Sequence, residues 1–138
     1  MNGISESWGF VLGKLTQEMD NQFSYKLKKF DITSRDYGVL STVNSNPNLT
    51  QKEIGALMQI DRTTMVQLVD FLENKKYVTR EINPKDRRQN IIRITSLGND
   101  IVTQMWQSMK QIERKVIEES QDYQKQVILE IAQLLEEK

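Results

Sequence analysis

Apolar residues recur every three or four positions through the first 30 residues, which is the spacing of one helix face. The stripe consists of Ile4, Trp8, Val11, Leu12, Leu15, Met19, Phe23, Leu27 and Phe30. It predicts a long first helix over residues 4–30. A second helix is predicted to begin at Thr33, whose hydroxyl can cap the first turn, and to run through Val43. The polar, proline-containing run at 44–48 then forms a turn.

Two shorter helices follow. Thr50 and Glu53 have the spacing of a capping box, in which each side chain bonds the other residue's backbone N–H, and a helix at 51–58 is predicted. Asp61 is a good N-cap for a further helix that ends near Lys76. The apolar stripe of that helix is Met65, Leu68, Val69 and Leu72. Two short helices joined by a tight turn have the spacing of a helix-turn-helix.

The apolar period then shortens to about two, which is typical of strands. Residues 77–82 and 91–95 are β-prone, and the polar stretch at 83–90 separates them. The pattern predicts a hairpin with a basic tip formed by Lys85, Arg87 and Arg88. Two further amphipathic helices are predicted at 97–120 and 122–137.

These elements predict a mainly α fold of six helices with a small β-hairpin wing, a winged helix-turn-helix. We assign residues 1–138 to a single domain, in which a lobe at 31–96 binds DNA. The helices at 1–30 and 97–138 carry apolar stripes that need a cover, and we expect them to form a homodimer. A membrane surface is a less favoured cover, because the C-terminal helices are acidic.

Composition narrows the class of protein. The chain of 138 residues is 38% hydrophobic and 28% charged, which is typical of a soluble globular domain. It has no apolar run of membrane-spanning length and no secretory signal at its start, so we expect a cytoplasmic protein without a membrane partner. Cysteine and histidine are absent.

Without cysteine and histidine, the common nucleophile, the common general base and the usual zinc and iron ligands are missing. A carboxylate-based enzyme or an all-oxygen metal site remains as a remote alternative, and no Gly-rich phosphate loop is present. We therefore expect no enzymatic activity, no cofactor and no metal.

The formal net charge is zero, which by itself argues against a nucleic-acid-binding protein. The charge is unevenly distributed, however. Residues 50–96 carry nine basic and six acidic side chains, a net +3, whereas residues 97–138 carry five and eight, a net −3. This asymmetry is expected if the middle of the chain contacts phosphates.

A helix-turn-helix followed by a basic hairpin fits duplex DNA. The helix from Asp61 can lie in the major groove, and a narrow basic hairpin can enter the adjacent minor groove. The candidate DNA-binding residues are Arg62, Thr63, Thr64 and Gln67 on the helix and Lys85, Arg87 and Arg88 on the hairpin. The alternatives without a binding function are that the hairpin cations form a solvated surface, that the threonines are merely exposed, and that Asp61 is only a helix cap.

Three blocks of sequence resemble the MarR family of bacterial transcriptional regulators. They are Leu49-Thr50-Gln51-Lys52-Glu53-Ile54-Gly55, then Asp61-Arg62-Thr63-Thr64-Met65-Val66-Gln67-Leu68-Val69-Asp70, and then Arg80-x-x-Asn83-Pro84-Lys85-Asp86-Arg87-Arg88 with Ile94-Thr95-Ser96-Leu97-Gly98. The resemblance implies a triangular homodimer, major-groove contacts from the helix at Asp61, and wing arginines in the minor groove or on its phosphates. It also implies that Asp61 and Arg88 pair, linking this helix to the wing.

Two residues depart from the family pattern. Asn83 stands where an aspartate is usual, which puts the internal polar contacts of the wing in question. Gln67 stands where a basic residue is common, which could shift base preference toward adenine.

The family also often binds small aromatic or phenolic effectors. For such an effector the candidate residues are Trp8, Leu12, Met105 and Trp106. Apolar residues at helical spacing are more often core or dimer interface, so that alternative stays open.

The sequence therefore predicts a sequence-specific DNA-binding regulator. We expect a ligand-responsive repressor that binds, as a homodimer, a pseudo-palindrome with half-sites about 10 bp apart. The alternative is a winged-helix protein-interaction module without DNA binding, which the zero net charge supports.

Overall fold

The computed structural model describes residues 3–116 and 122–137. Within these ranges it contains six α-helices and one two-stranded antiparallel sheet. The elements are α1 Trp8–Leu27, α2 Ser34–Ser45, α3 Gln51–Leu57, α4 Arg62–Asn74, β1 Val78–Ile82, β2 Asn90–Ile94, α5 Ser96–Val116 and α6 Asp122–Glu136. The predicted fold class is confirmed. The predicted C-terminal end of the fifth helix, near residue 120, lies outside the described residues.

The first helix is shorter than its apolar stripe predicts. Short 3₁₀ turns at Ile4–Glu6 and Lys28–Phe30 flank α1 on either side. Asp31 then adopts a left-handed conformation with φ 55°, which ends the helical run and turns the chain into α2.

The three helices of the central lobe begin at side-chain caps, as predicted. Thr33 and Asp36 form a capping box on α2, with bonds of 3.1 and 2.8 Å between side chain and backbone. Thr50 and Glu53 do the same on α3, at 3.2 Å in each direction. Asp61 caps α4 by accepting a bond of 3.0 Å from the backbone N–H of residue 64. These caps fix where each helix begins.

One hydrophobic core joins α2, α3, α4, β1, β2 and α5 with the C-terminal half of α1. Its largest completely buried side chains are Phe23, Leu27, Leu40, Ile54, Met65, Leu72, Ile92, Ile101 and Met105. Phe23 packs edge-to-face against Tyr37, with ring centroids 4.9 Å apart. The core therefore lies behind α4 and supports its inner face.

The outer parts of the terminal helices pack against little of this single chain. Trp8, at the start of α1, is 75% exposed. Residues 126–136 of α6 are all exposed, although they include the apolar stripe Val127, Ile128, Ile131, Leu134 and Leu135. The apolar faces of α1 and α6 are therefore exposed to solvent in the single chain.

Gly98 lets α5 approach the start of the wing closely. A Cβ at this position would overlap the carbonyl oxygen of Tyr77 and crowd Ile94. The hydroxyl of Thr95 accepts a bond of 3.1 Å from the Gly98 N–H and donates one of 2.7 Å to the Lys76 carbonyl. A residue without a side chain is required for this contact.

We predict that Gly98→Ala destabilises the protein by about 2 kcal/mol, because the added methyl group meets backbone that cannot move freely. This loss outweighs the gain of about 1 kcal/mol that alanine normally gives over glycine in a helix. Denaturant unfolding measures it. Asn99→Ala, at the exposed neighbouring position, is the control and should change stability by less than about 0.5 kcal/mol. A stabilised Gly98→Ala variant would contradict the contact.

Candidate nucleic-acid interface

Helices α3 and α4 meet through a tight turn whose shape depends on two residues. Gln59 adopts a left-handed conformation with φ 55°, and the N–H of Ile60 donates to the Gly55 carbonyl at 2.9 Å. Gly55 lies against Met65, where a Cβ would be 3.0 Å from the side chain. This close packing fixes the angle at which α4 projects.

Helix α4 presents a polar face to solvent. Arg62, Thr63 and Gln67 are exposed, whereas Met65 and the rest of the inner stripe are buried. Thr64 differs from its neighbours, because its hydroxyl donates a bond of 2.6 Å to the Asp61 carboxylate. Three of the four predicted helix residues are therefore exposed, and the fourth is engaged in the cap.

These bonds to Asp61 also have an electrostatic effect. The side-chain and backbone hydrogen bonds from Thr64 hold the pKa of the Asp61 carboxyl below its ordinary value. The carboxylate is therefore ionised at neutral pH, at the positive end of α4.

The wing is a regular hairpin with a folded tip. Strands β1 and β2 pair in register from Val78 opposite Ile94 to Ile82 opposite Asn90. At the tip, the Asn83 carbonyl accepts from the Asp86 N–H at 3.2 Å. The tip is thus built from consecutive turns.

Asn83 supplies the internal polar contacts of the wing that its difference from the family pattern had put in question. Its side-chain oxygen accepts from the Lys85 N–H at 3.1 Å, and its N–H donates to the Gln89 carbonyl at 3.0 Å. An asparagine therefore closes this turn as an aspartate can. Lys85 and Arg87 are exposed at the tip, as expected.

The predicted pair between Asp61 and Arg88 is not formed. The guanidinium of Arg88 instead binds Asp86 through Nε and Nη2, at 3.1 and 3.2 Å. These bonds hold the pKa of the Asp86 carboxyl below its ordinary value. In the single chain, each of the two residues instead has a partner only two or three positions away.

The link between α4 and the wing is made by Arg80, which the sequence analysis quoted only as part of a motif. Its guanidinium binds Asp70 at 2.7 Å and Glu73 at 3.0 Å, and its N–H donates to Glu73 at 3.1 Å. Nε also donates to Gln51 of α3 at 3.2 Å. The Arg80 side chain is only 18% exposed. One residue of β1 thereby bonds to both helices of the helix-turn-helix.

A groove of about 970 Å³ lies between α3 and α4 on one side and the wing on the other. We call it the wing groove. Its lining includes the cationic side chains Lys52, Arg62, Arg80 and Arg88. Arg62 and Arg88 come from different elements, and the groove brings them to one concave surface.

The predicted effector residues do not come together as one pocket in the single chain. Met105 is completely buried in the core, which places it away from solvent. Trp8, Leu12 and Trp106 are exposed on α1 and α5. Effector binding by these residues stays a prediction for the three exposed ones, and for Met105 the structure supports the core alternative.

Within residues 3–116 and 122–137, no helix is long and apolar enough to cross a bilayer. The same residues include no group of three or more acidic side chains placed to hold a metal ion.

The helix-turn-helix, the antiparallel wing and the groove between them define a winged helix-turn-helix protein. A sequence model of the MarR family matches residues 30–89. The HTH-type transcriptional regulator SarZ of Staphylococcus saprophyticus is 31% identical over 111 residues, which cover 80% of this chain and 76% of SarZ. The chain belongs to the MarR family.

A further relative and a solved structure are also similar to this chain. A putative transcriptional regulatory protein for the hcr operon of Thauera aromatica is 32% identical over 92 residues, 67% of this chain but only 51% of that relative, so the match spans about half of its length. A MarR mutant from E. coli, crystallised in complex with operator DNA, shares the fold with a TM-score of 0.82 at 20% identity, over 98% of this chain and 99% of that one.

We predict that Arg80→Leu lowers the free energy of unfolding by about 2 kcal/mol, because Asp70 and Glu73 lose a charged partner. Arg93→Leu is the control, since it removes a half-exposed cross-strand pair with Glu81 of 2.6 Å and should cost at most about 1 kcal/mol. Denaturant unfolding of both variants tests the difference. Equal losses would show that the Arg80 contacts contribute no more than a surface pair.

Proposed function

We propose that the protein is a sequence-specific transcriptional regulator that binds double-stranded DNA as a homodimer. One observation carries this proposal: Arg62 of α4 and Arg88 of the wing line the same groove, and α4 exposes further polar side chains to solvent next to it. A helix can enter the major groove while a narrow basic hairpin reaches the minor groove beside it. The E. coli MarR mutant of the same fold, crystallised with operator DNA, supports it.

The geometry divides the roles of the candidate residues. Arg62, Thr63 and Gln67 have free side chains on α4 for base edges and phosphates. Lys85 and Arg87 extend from the wing for the minor groove. Arg88 is held by Asp86 along the rim of the wing groove, where the same guanidinium can also contact a phosphate.

The terminal helices support the dimer. The exposed apolar stripe of α6 and the exposed start of α1 are too extensive to remain in water on a stable monomer. A second copy covers the same faces by two-fold symmetry, and the two lobes then face two half-sites of a pseudo-palindrome. In this arrangement residues 1–30 and 97–138 dimerise and residues 31–96 bind DNA.

The proposal also includes repression of transcription and release of the protein from DNA by a small aromatic effector. A dimer that occupies both half-sites of an operator overlapping a promoter excludes other proteins from it. The exposed aromatic residues Trp8 and Trp106 lie on the terminal helices, where a ligand could change how the two lobes are spaced.

We predict that the protein binds the promoter region of its own gene more tightly than random DNA in fluorescence anisotropy. Arg87→Gln should weaken binding to all DNA and reduce its salt dependence. The slope of log affinity against log salt concentration should change by about 0.9 for each lost phosphate contact.

Gln67→Ala should mainly relax base preference. Gln107→Ala, at an exposed position of α5, is its matched control. Equal affinity for operator and random DNA would overturn sequence specificity.

We predict that Ile131→Asp on α6 converts the dimer to a monomer, because a carboxylate cannot be buried unpaired in an apolar interface. Leu57→Asp is the matched control, since Leu57 is likewise an exposed apolar residue, on α3 of the lobe proposed to face DNA. Sedimentation equilibrium distinguishes the two variants. A monomeric wild-type protein at micromolar concentration would contradict the dimer.

A further inference from the structure

Helix α4 carries little positive charge of its own. Between Arg62 and Asn74 its single cation is Arg62, and its two carboxylates are Asp70 and Glu73. Arg80 neutralises part of this negative charge from the wing side. Attraction to phosphates must therefore come from neighbouring elements, and on one side of α4 the wing supplies it.

Arg35 lies on the other side of α4. It occupies the first turn of α2 and lines a cleft of about 380 Å³ with Thr64, Gln67, Leu68 and Phe71 of α4. The wing groove, by contrast, is lined on α4 by Arg62, Met65 and Val66. Successive residues of an α-helix are rotated by about 100°, so these two sets lie roughly half a turn apart. The wing and Arg35 thus flank the exposed face of α4 from opposite sides.

The guanidinium of Arg35 is available for a ligand. The side chain is exposed and forms no salt bridge with any residue in the described parts of the chain. Its acidic neighbour in the cleft, Asp36, is buried and accepts from the Thr33 N–H at 2.8 Å within the capping box. Asp61 accepts two bonds from Thr64 and is influenced by Arg35 only through space.

We propose that Arg35 binds a DNA phosphate on the strand bordering the major groove on the side away from the wing. A helix in the major groove has a phosphate backbone on each side. The start of α2, which carries Arg35, lies beside α4 on the side away from the wing groove. The wing contacts one border and Arg35 the other. This inference rests on the proposed DNA-binding function and adds a contact from α2, which the sequence analysis did not assign.

The test is the salt dependence of DNA binding by Arg35→Gln in the full chain, measured by anisotropy with operator and random duplexes. The log–log slope should fall by about 0.9 for each subunit bound. Affinity for both duplexes should fall by the same factor, because phosphates carry no sequence information. Arg35→Lys should keep the slope, since it keeps the charge.

Arg114→Gln is the matched control, because it removes the same charge from the exposed last turn of α5. It should leave the slope unchanged. Thermal unfolding of Arg35→Gln shows whether Arg35 instead has a structural role at the Asp61 cap. If the variant is less stable and binds DNA more weakly but keeps the wild-type salt slope, the phosphate contact is overturned. An unchanged slope at full stability would overturn it as well. Failure of the wild-type protein to bind any duplex would instead overturn the proposed function.

Discussion

The position of the wing depends on one guanidinium. Arg80 leaves β1 and binds two carboxylates of α4 and an amide of α3, so that strand and helices form one rigid unit. A largely buried arginine is tolerated because each direction of its planar fork has an acceptor. Arg80 also lines the wing groove, between the helices and the wing. The surfaces proposed for the major and the minor groove are thereby held at a fixed separation.

The residues that follow α4 bind the segment that follows α1. Lys75 binds Asp31 at 2.6 Å, and the Tyr77 hydroxyl donates to the Phe30 carbonyl at 3.0 Å. The backbone of Tyr77 also lies directly against Gly98 of α5. The segment after α1 and the start of α5 therefore contact the residues that follow α4. The position of the candidate interface depends in part on these contacts.

Much of the fold could be predicted because its signals are local. Capping at Thr33, Thr50 and Asp61 involves residues three positions apart, and helical or strand periodicity is read over about ten residues. The first helix was predicted to be longer than it is, because its apolar stripe continues into the 3₁₀ turns at both ends. The exposure of the polar side chains of α4 could be predicted for the same reason, since they lie opposite an apolar stripe.

The sequence by itself determined the elements, their order, the polar face of α4 and the basic tip of the wing. Only the tertiary structure decided which charges meet. It paired Lys75 with Asp31 across 44 positions, buried Met105, and brought Arg35 beside Gln67 across 32 positions of sequence. Such contacts depend on how elements pack in three dimensions, and a periodic pattern along one chain carries no information on which distant side chains that packing brings together.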